Sequence, residues 1–138
     1  MNYLIDTNVI SELVKTKPNK SVTQWFNKIS SHQLYISVLT LGELRKGIEQ
    51  ITETQKKIQL HYWLEHELPA WFDHRVLAID QNIADRWGRL LTEMRRPLPA
   101  IDSLIAATAL HFDFCLVTRN VNDFKYPSLQ VLNPWDSP

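Results

Sequence analysis

The chain has 138 residues, 44% apolar and 22% charged, with 15 Lys and Arg against 15 Asp and Glu. A domain of this length buries roughly 68–70% of its unfolded surface, so a core forms without disulfide or metal staples, and zero formal charge leaves only local patches for binding nucleic acid. Three glycines and a single cysteine exclude a P-loop, a dinucleotide fingerprint, a disulfide framework and a cysteine zinc site.

The first residues, Met1 to Asp6, have no basic stretch and too short an apolar run for a signal peptide or membrane span. This predicts a cytoplasmic protein with no membrane partner. Tyr3 to Ile5 reads as a strand. Val22, Trp25, Phe26 and Ile29 have helical spacing, Leu34 to Val38 is strand-like, and Leu39 to Ile51 and Lys56 to Leu68 read as helices. After a short strand from Val76 to Ile79 comes the clearest helix, from Gln81, where Ile83, Trp87, Leu90, Leu91 and Met94 recur at three- and four-residue steps. Leu104 to Phe112 is almost wholly apolar and predicts a buried helix, followed by strands at Cys115 to Val117 and, more weakly, Leu129 to Leu132. No repeat or linker interrupts the chain, which reads as one domain over 1–138. Strands alternating with helices predict an α/β fold of three layers, a central parallel sheet flanked by helices.

Ligands of open parallel sheets bind outside the carboxyl ends of the strands, and four acids fall there. Asp6 ends the first strand, Glu43 lies early in the helix after the second, Asp102 opens the buried helix, and Asp123 follows the fourth strand. Singly, each has an ordinary reading. Asp6 and Asp102 read equally well as helix caps, Glu43 as a first-turn acid favoured by the helix dipole, and Asp123 as the acid of an Asx turn. Together they are like charges in one place, which is unfavourable unless a cation neutralises them. Mg²⁺, or Mn²⁺, takes oxygen ligands and keeps several waters, which suits carboxylates supported by Asn8 or Asn120.

Such ions activate water and stabilise the leaving oxygen of a phosphodiester. Thr118, ending the fourth strand, reads equally as a strand terminus or as a hydroxyl orienting a phosphate or water. Arg86, Arg89 and Arg96 fall on one stripe of the Gln81 helix with Glu93. The stripe reads first as a solvated face and second as RNA phosphate contacts. Of five tryptophans, Trp63 and Trp71 are candidates for a subunit interface. The five histidines lack zinc-site spacing and are expected to be non-ligands.

The sequence resembles the PIN-domain nucleases, and most closely the ribonuclease toxins of VapBC-type toxin–antitoxin pairs. The resemblance rests on Leu4-Ile5-Asp6-Thr7-Asn8-Val9-Ile10-Ser11-Glu12, Ser37-Val38-Leu39-Thr40-Leu41-Gly42-Glu43-Leu44, Asp102-Ser103-Leu104-Ile105-Ala106-Ala107-Thr108-Ala109, Thr118-Arg119-Asn120-Val121-Asn122-Asp123-Phe124 and Asn133-Pro134-Trp135. These segments span nearly the whole chain in the family's order. The resemblance implies a metal site of Asp6, Glu43, Asp102 and Asp123, single-stranded or looped RNA as substrate, a homodimer, and inhibition by a cognate antitoxin, with DNA bound only through that antitoxin. A non-enzymatic alternative is a module whose acidic pocket chiefly receives a partner's arginine within a DNA-bound repressor. A phosphoacceptor domain fits worse, because it needs an acidic pair after the first strand and a lysine after the last.

Overall fold

A computed structural model describes residues 1–136. Five short strands, β1 (Tyr3–Ile5), β2 (Leu34–Ser37), β3 (Val76–Leu77), β4 (Cys115–Val117) and β5 (Val131–Leu132), form one parallel sheet in the order β3-β2-β1-β4-β5. Tyr3 aligns with both Leu34 and Cys115, and Ile5 with Val117. Successive strand residues face opposite sides, and the sequence is apolar on both. Ile5 and Val117 join a core with Val9, Val22, Ile36 and Phe72, whereas Leu4 and Leu116 join one with Ile83, Leu90, Ile105 and Phe124. The three-layer α/β architecture follows.

The first core is covered by α1 (Thr7–Leu13), α2 (Lys20–Lys28), α3 (Val38–Glu49) and the helical run that begins at α4 (Thr54–Tyr62) and ends at α5 (Leu68–Phe72). The second lies under α6 (Gln81–Met94) and α7 (Ala100–Phe112). These two are tied where the Trp87 indole N–H donates to Ser103 Oγ at 2.9 Å, and that hydroxyl donates to the Ala100 carbonyl at 3.0 Å.

Several boundaries move for local reasons. Ser37 Oγ accepts from Leu39 N–H at 3.0 Å, so Val38 opens α3 rather than ending β2. Asp80 caps α6 by accepting from Ile83 N–H, which takes Ile79 out of the predicted third strand. The Leu129 N–H turns back to the Tyr126 carbonyl, leaving only Val131 and Leu132 to pair. The expected Lys56 to Leu68 helix is longer and interrupted, because Trp63–Glu67 is a π-helical segment in which Leu68 N–H reaches the Trp63 carbonyl. Pro69 has no N–H to continue the ordinary ladder, and π turns absorb such faults. Helix α7 starts four residues before Leu104, directly after Pro99.

Two buried charges close the seams. Arg75, 6% exposed, donates to the carbonyls of Ser31, Leu34 and Trp71 and lies 5.0 Å from the Trp71 ring. Glu12 accepts from Asn19 N–H and from Lys15 Nζ, each at 2.8 Å, joining the end of α1 to the start of α2. Those hydrogen bonds hold its carboxyl below the ordinary glutamate value. Cys115 is a buried free thiol whose pKa is raised by burial, an unreactive setting.

At the end of α5 the backbone of Asp73 takes φ 50° and ψ −120°, a conformation that suits glycine and strains a side chain. Asp73→Gly is expected to stabilise the protein by about 1 kcal/mol after the entropy of a new glycine is charged against the relieved strain. Thermal unfolding should show a midpoint about 4 °C higher; an unchanged or lower midpoint would contradict the strain.

Candidate metal and phosphodiester site

The strand order reverses between β1 and β4, the place where open parallel sheets leave a crevice at their carboxyl ends. Asp6 stands there, 8% exposed. It caps α1 by accepting from Thr7 N–H at 2.9 Å through Oδ1, so the capping reading holds, and its second oxygen is left for the candidate site. Its Oδ2 accepts from Thr118 Oγ1 at 2.8 Å and from Asn8 Nδ2 at 3.3 Å. Thr118 follows β4 directly and is fully buried. Having donated to Asp6, its hydroxyl accepts from Asn8 Nδ2 at 3.2 Å and Asn120 N–H at 3.1 Å. Asn8 Oδ1 accepts from Arg119 N–H at 3.2 Å. Asp6, Asn8, Thr118 and Asn120 thus form one network.

Glu43 extends it. Thr7 Oγ1 donates to Glu43 Oε1 at 2.6 Å, and the Thr40 hydroxyl stands 3.2 Å from the Thr7 oxygen. Thr7 and the buried Thr40 were not singled out from sequence. Thr40 lies three residues before Glu43 on α3, a spacing that places both on one helix face. Glu43 is in the second turn of α3, which has no first-turn acid, so the dipole reading of Glu43 does not hold.

Asp102 lies in the first turn of α7, whose N-cap is Pro99 with no side-chain bond. Asp102 is therefore not a cap. Asp123 sits exposed in the short 3-10 turn Val121–Phe124, with no Asx-turn bond from its side chain among the described residues.

Asp6 feels the charges of Glu43 and Asp102, and Asp102 those of Asp123 and Glu43. Burial, opposed by the Thr118 and Thr7 hydrogen bonds and reinforced by Glu43 and Asp102, raises the Asp6 pKa. Burial, then Asp123 and Glu43, raises that of Asp102.

The arginine stripe is not continuous. Helix α6 ends at Met94 and Arg95 turns left-handed at φ 53°, so Arg96 lies beyond it. Arg86 Nη1 stands 3.8 Å from Glu93, beyond hydrogen-bond reach and with no hydrogen-bond partner among the described residues, whereas Arg89 pairs with Asp85 at 3.0 Å. Arg96 instead acts electrostatically on Tyr126, together with Asp102 and Asp123. Tyr126 was also missed from sequence, since a lone tyrosine after a turn has no pattern. Burial, partly offset by Arg96 and assisted by the two aspartates, raises its phenol pKa. The residue is 5% exposed and its hydroxyl has no hydrogen-bond partner among the described residues.

The donor set fits a hard divalent cation. It offers carboxylate oxygens whose ionisation is mutually unfavourable. Among the described residues no three His, Cys, Asp or Glu side chains stand so that together they could hold a metal ion. Mg²⁺ does not demand three, since it retains several waters and uses one or two carboxylates. His61 is engaged with Arg45 and Glu49 on the α3–α4 surface.

A PIN-domain family model matches residues 3–127. The chain is 36% identical over 137 residues to plasmid stability protein StbB of Pseudomonas syringae pv. tomato, covering 97% of this chain and 99% of the relative. It is 33% identical over 135 residues to toxin FitB of Neisseria gonorrhoeae, covering 96% and 97%, and 31% identical over 136 residues to VapC ribonuclease Y4jK of Sinorhizobium fredii, covering 96% and 97%. The solved FitAcB structure from Neisseria gonorrhoeae superposes with a TM-score of 0.88 at 32% identity, over 97% of this chain and 99% of that one. FitAB bound to an IR36 DNA fragment gives 0.88 at 30% identity, over 99% and 97%. The chain belongs to the PIN-domain family, in the VapC-type group formed with these relatives.

The raised Asp102 pKa fixes the sign of one effect. A carboxyl whose folded pKa exceeds its unfolded value gives its full stability below the unfolded value and loses it as pH rises through the folded one. Repulsion and burial thus outweigh the favourable dipole at the start of α7. With a chelator present, Asp102→Asn is expected to melt higher than the parent near neutral pH, and the gap should close below the ordinary aspartate value of 3.8. Melting curves across that range check both the sign and the pH window.

Proposed function

We propose that this protein is a Mg²⁺-dependent endoribonuclease, the toxin of a type II toxin–antitoxin pair. The observation that carries the reading is the gathering of Asp6, Glu43, Asp102 and Asp123 at the switch point of the sheet, each within electrostatic reach of another. The ribonuclease and toxin names of the Sinorhizobium and Neisseria relatives support it.

Asp6, Asp102 and Asp123 would hold the cation, with Glu43 completing the acidic wall and Mn²⁺ as a substitute ion. A bound divalent cation supplies neutralising charge and a water acidic enough to attack phosphorus. The protein's residues do the positioning. The Asp6 carboxylate is locked by the Thr118 hydroxyl and the Thr7 amide, so it would bind without further loss of rotamer freedom. Glu43 is held by Thr7, and Asn8 and Asn120 brace Thr118. In the hydrolysis the water oxygen bonds to phosphorus, the phosphorus bond to one ribose oxygen breaks, and that oxygen takes up a proton. Arg96 lies beyond α6, clear of the Asp85–Arg89 pair on that helix, and is our candidate among the three arginines to meet a phosphate.

An antitoxin partner is supported by the FitAB complex and by an apolar groove lined by Val14, Leu44, Ile48, Ile51, Leu60 and Trp63, with Glu43 on its rim. A partner segment lying there would reach the acids. An arginine from it would pair with the carboxylates bidentately and take the cation's place. DNA would be met through that partner. The same groove favours a second reading, a module that mainly binds its antitoxin in a DNA-bound repressor and turns over little RNA.

The two readings separate in a cleavage assay. RNA hydrolysis is expected to require Mg²⁺, to stop with EDTA, and to fall at least about 100-fold in Asp6→Asn, since even outer-shell partners of a metal site are worth 10–100-fold. Cleavage that survives both changes would remove the metal mechanism, and absence of any cleavage with antitoxin binding intact would favour the module.

A homodimer belongs to the same proposal. No helix among the described residues is long and apolar enough to cross a membrane, and Trp71 remains 42% exposed on the surface, stacked on Phe26, while Trp63 is half-buried against the first core. Light scattering at micromolar concentration is expected to report twice the 16.2 kDa chain mass; a monomer would contradict it.

A further inference from the structure

Thr118-Arg119-Asn120 and Asn133-Pro134-Trp135 are separate segments of the sequence that meet in the fold. Strands β4 and β5 are parallel neighbours, so the residues that follow one lie beside those that follow the other, and Thr118 N–H donates to the Leu132 carbonyl at 3.0 Å. The Arg119 guanidinium carbon stands 5.0 Å from the centre of the Trp135 ring, within cation–π range. Both ends of the pair are fixed. Arg119 N–H donates to Asn8 Oδ1 at 3.2 Å, and the Asn8 amide nitrogen donates to Asp6 Oδ2 at 3.3 Å. Trp135 N–H donates to Asn133 Oδ1 at 2.9 Å, and its half-buried ring packs on the first core.

Arg119 is exposed, and its side chain makes no ion pair and no hydrogen bond among the described residues. In this it differs from Arg45, Arg75 and Arg89, whose N–H groups are taken by Glu65, by backbone carbonyls and by Asp85. Glu12 has its oxygens engaged by Lys15 and Asn19. A guanidinium resting on an indole has lost side-chain freedom before any ligand arrives, yet a cation–π contact consumes none of its donors. Such a fork of donors, two hydrogen bonds from Asp6 at the carboxyl edge of the sheet, matches phosphate oxygens bidentately.

We propose that Arg119, positioned by Trp135, is a phosphate contact for the RNA strand that enters the acidic crevice. The inference rests on reading RNA as the substrate, and it requires no cation at the acids. It goes beyond that reading by assigning strand binding to a pair outside the four acids and the α6 arginines. Every nucleotide brings a phosphate, so a contact away from the reacting one fixes the strand's position without touching the bond that breaks and without reading sequence. A fixed positive charge beside the crevice also offsets the repulsion between the acids and the strand.

The test is binding of a fluorescent single-stranded oligouridine in EDTA, followed by anisotropy over a range of salt concentrations, with melting curves, on the parent, Arg119→Ala, Trp135→Leu, Trp135→Phe and the Arg119→Ala, Trp135→Leu double variant. Arg119→Ala is expected to weaken binding about 10-fold, the lower end for a hydrogen bond to a charged group. It should also flatten the plot of log affinity against log salt by about 0.7, the share of one phosphate contact on a single strand. Trp135→Leu keeps the charge and should weaken binding about 3-fold with the salt slope retained, and Trp135→Phe should recover most of that loss. The double variant should bind little worse than Arg119→Ala alone, as coupled residues do. Parent-like affinity and slope in Arg119→Ala would overturn the inference while leaving RNA as the substrate. Weaker binding with an unchanged slope would overturn it too, by showing that the pair serves the fold rather than a phosphate. A parent that binds no RNA would remove the substrate reading and this inference with it.

Discussion

The carboxylate of Asp6 is buried at the one point in the sheet where neighbouring strands run off to opposite sides. Taking a carboxylate out of water is affordable only if its oxygens are hydrogen-bonded. Here the bonds come from the Thr7 amide and from Thr118, 112 positions away in the sequence. The strand order puts those residues side by side, because β1 pairs with β4 across the switch point. The rest of the network depends on that pairing. Thr118 is braced by Asn8 and Asn120, and Thr7 passes the arrangement on to Glu43. Removing the β1–β4 neighbourhood would leave a buried charge and a buried hydroxyl, each without its main partner.

The fold treats its buried charges in two ways, and the contrast sets the candidate site apart. At the seams, Arg75 is satisfied by three backbone carbonyls and Glu12 by an amide and a lysine. Glu12 is consequently a stronger acid than usual. At the carboxyl edge of the sheet the shift has the opposite sign. Asp6 and Asp102 are weaker acids, because burial and one another's charge exceed what their hydrogen bonds return. Charges left unneutralised in this way, in a crevice at the sheet edge, are what mark it as the candidate site.

Much of this was legible in the residues. The runs at Tyr3, Leu34 and Cys115 are apolar on both faces, as strands sandwiched between helices must be, and the spacing in Gln81 to Met94 fixes an amphipathic helix. The four acids were visible because each falls just after a strand or early in a following helix. Less legible were boundaries set by single hydrogen bonds, such as Ser37 capping α3 and Asp80 capping α6. The start of α7 was missed because Pro99 serves as its N-cap without any side-chain bond.

The sequence by itself determined the fold class and the candidate acids, since hydrophobic period and residue type are local properties of the chain. Tertiary structure alone decided how those acids are held. It made Asp6 a cap as well as a candidate site residue, denied capping to Asp102, enlisted Thr7 and Thr40, and set Arg96 apart from Arg86 and Arg89. The physical reason is that hydrogen bonds and charge–charge interactions depend on distances across the sheet, and those distances are fixed by which strands become neighbours, a choice no segment makes alone.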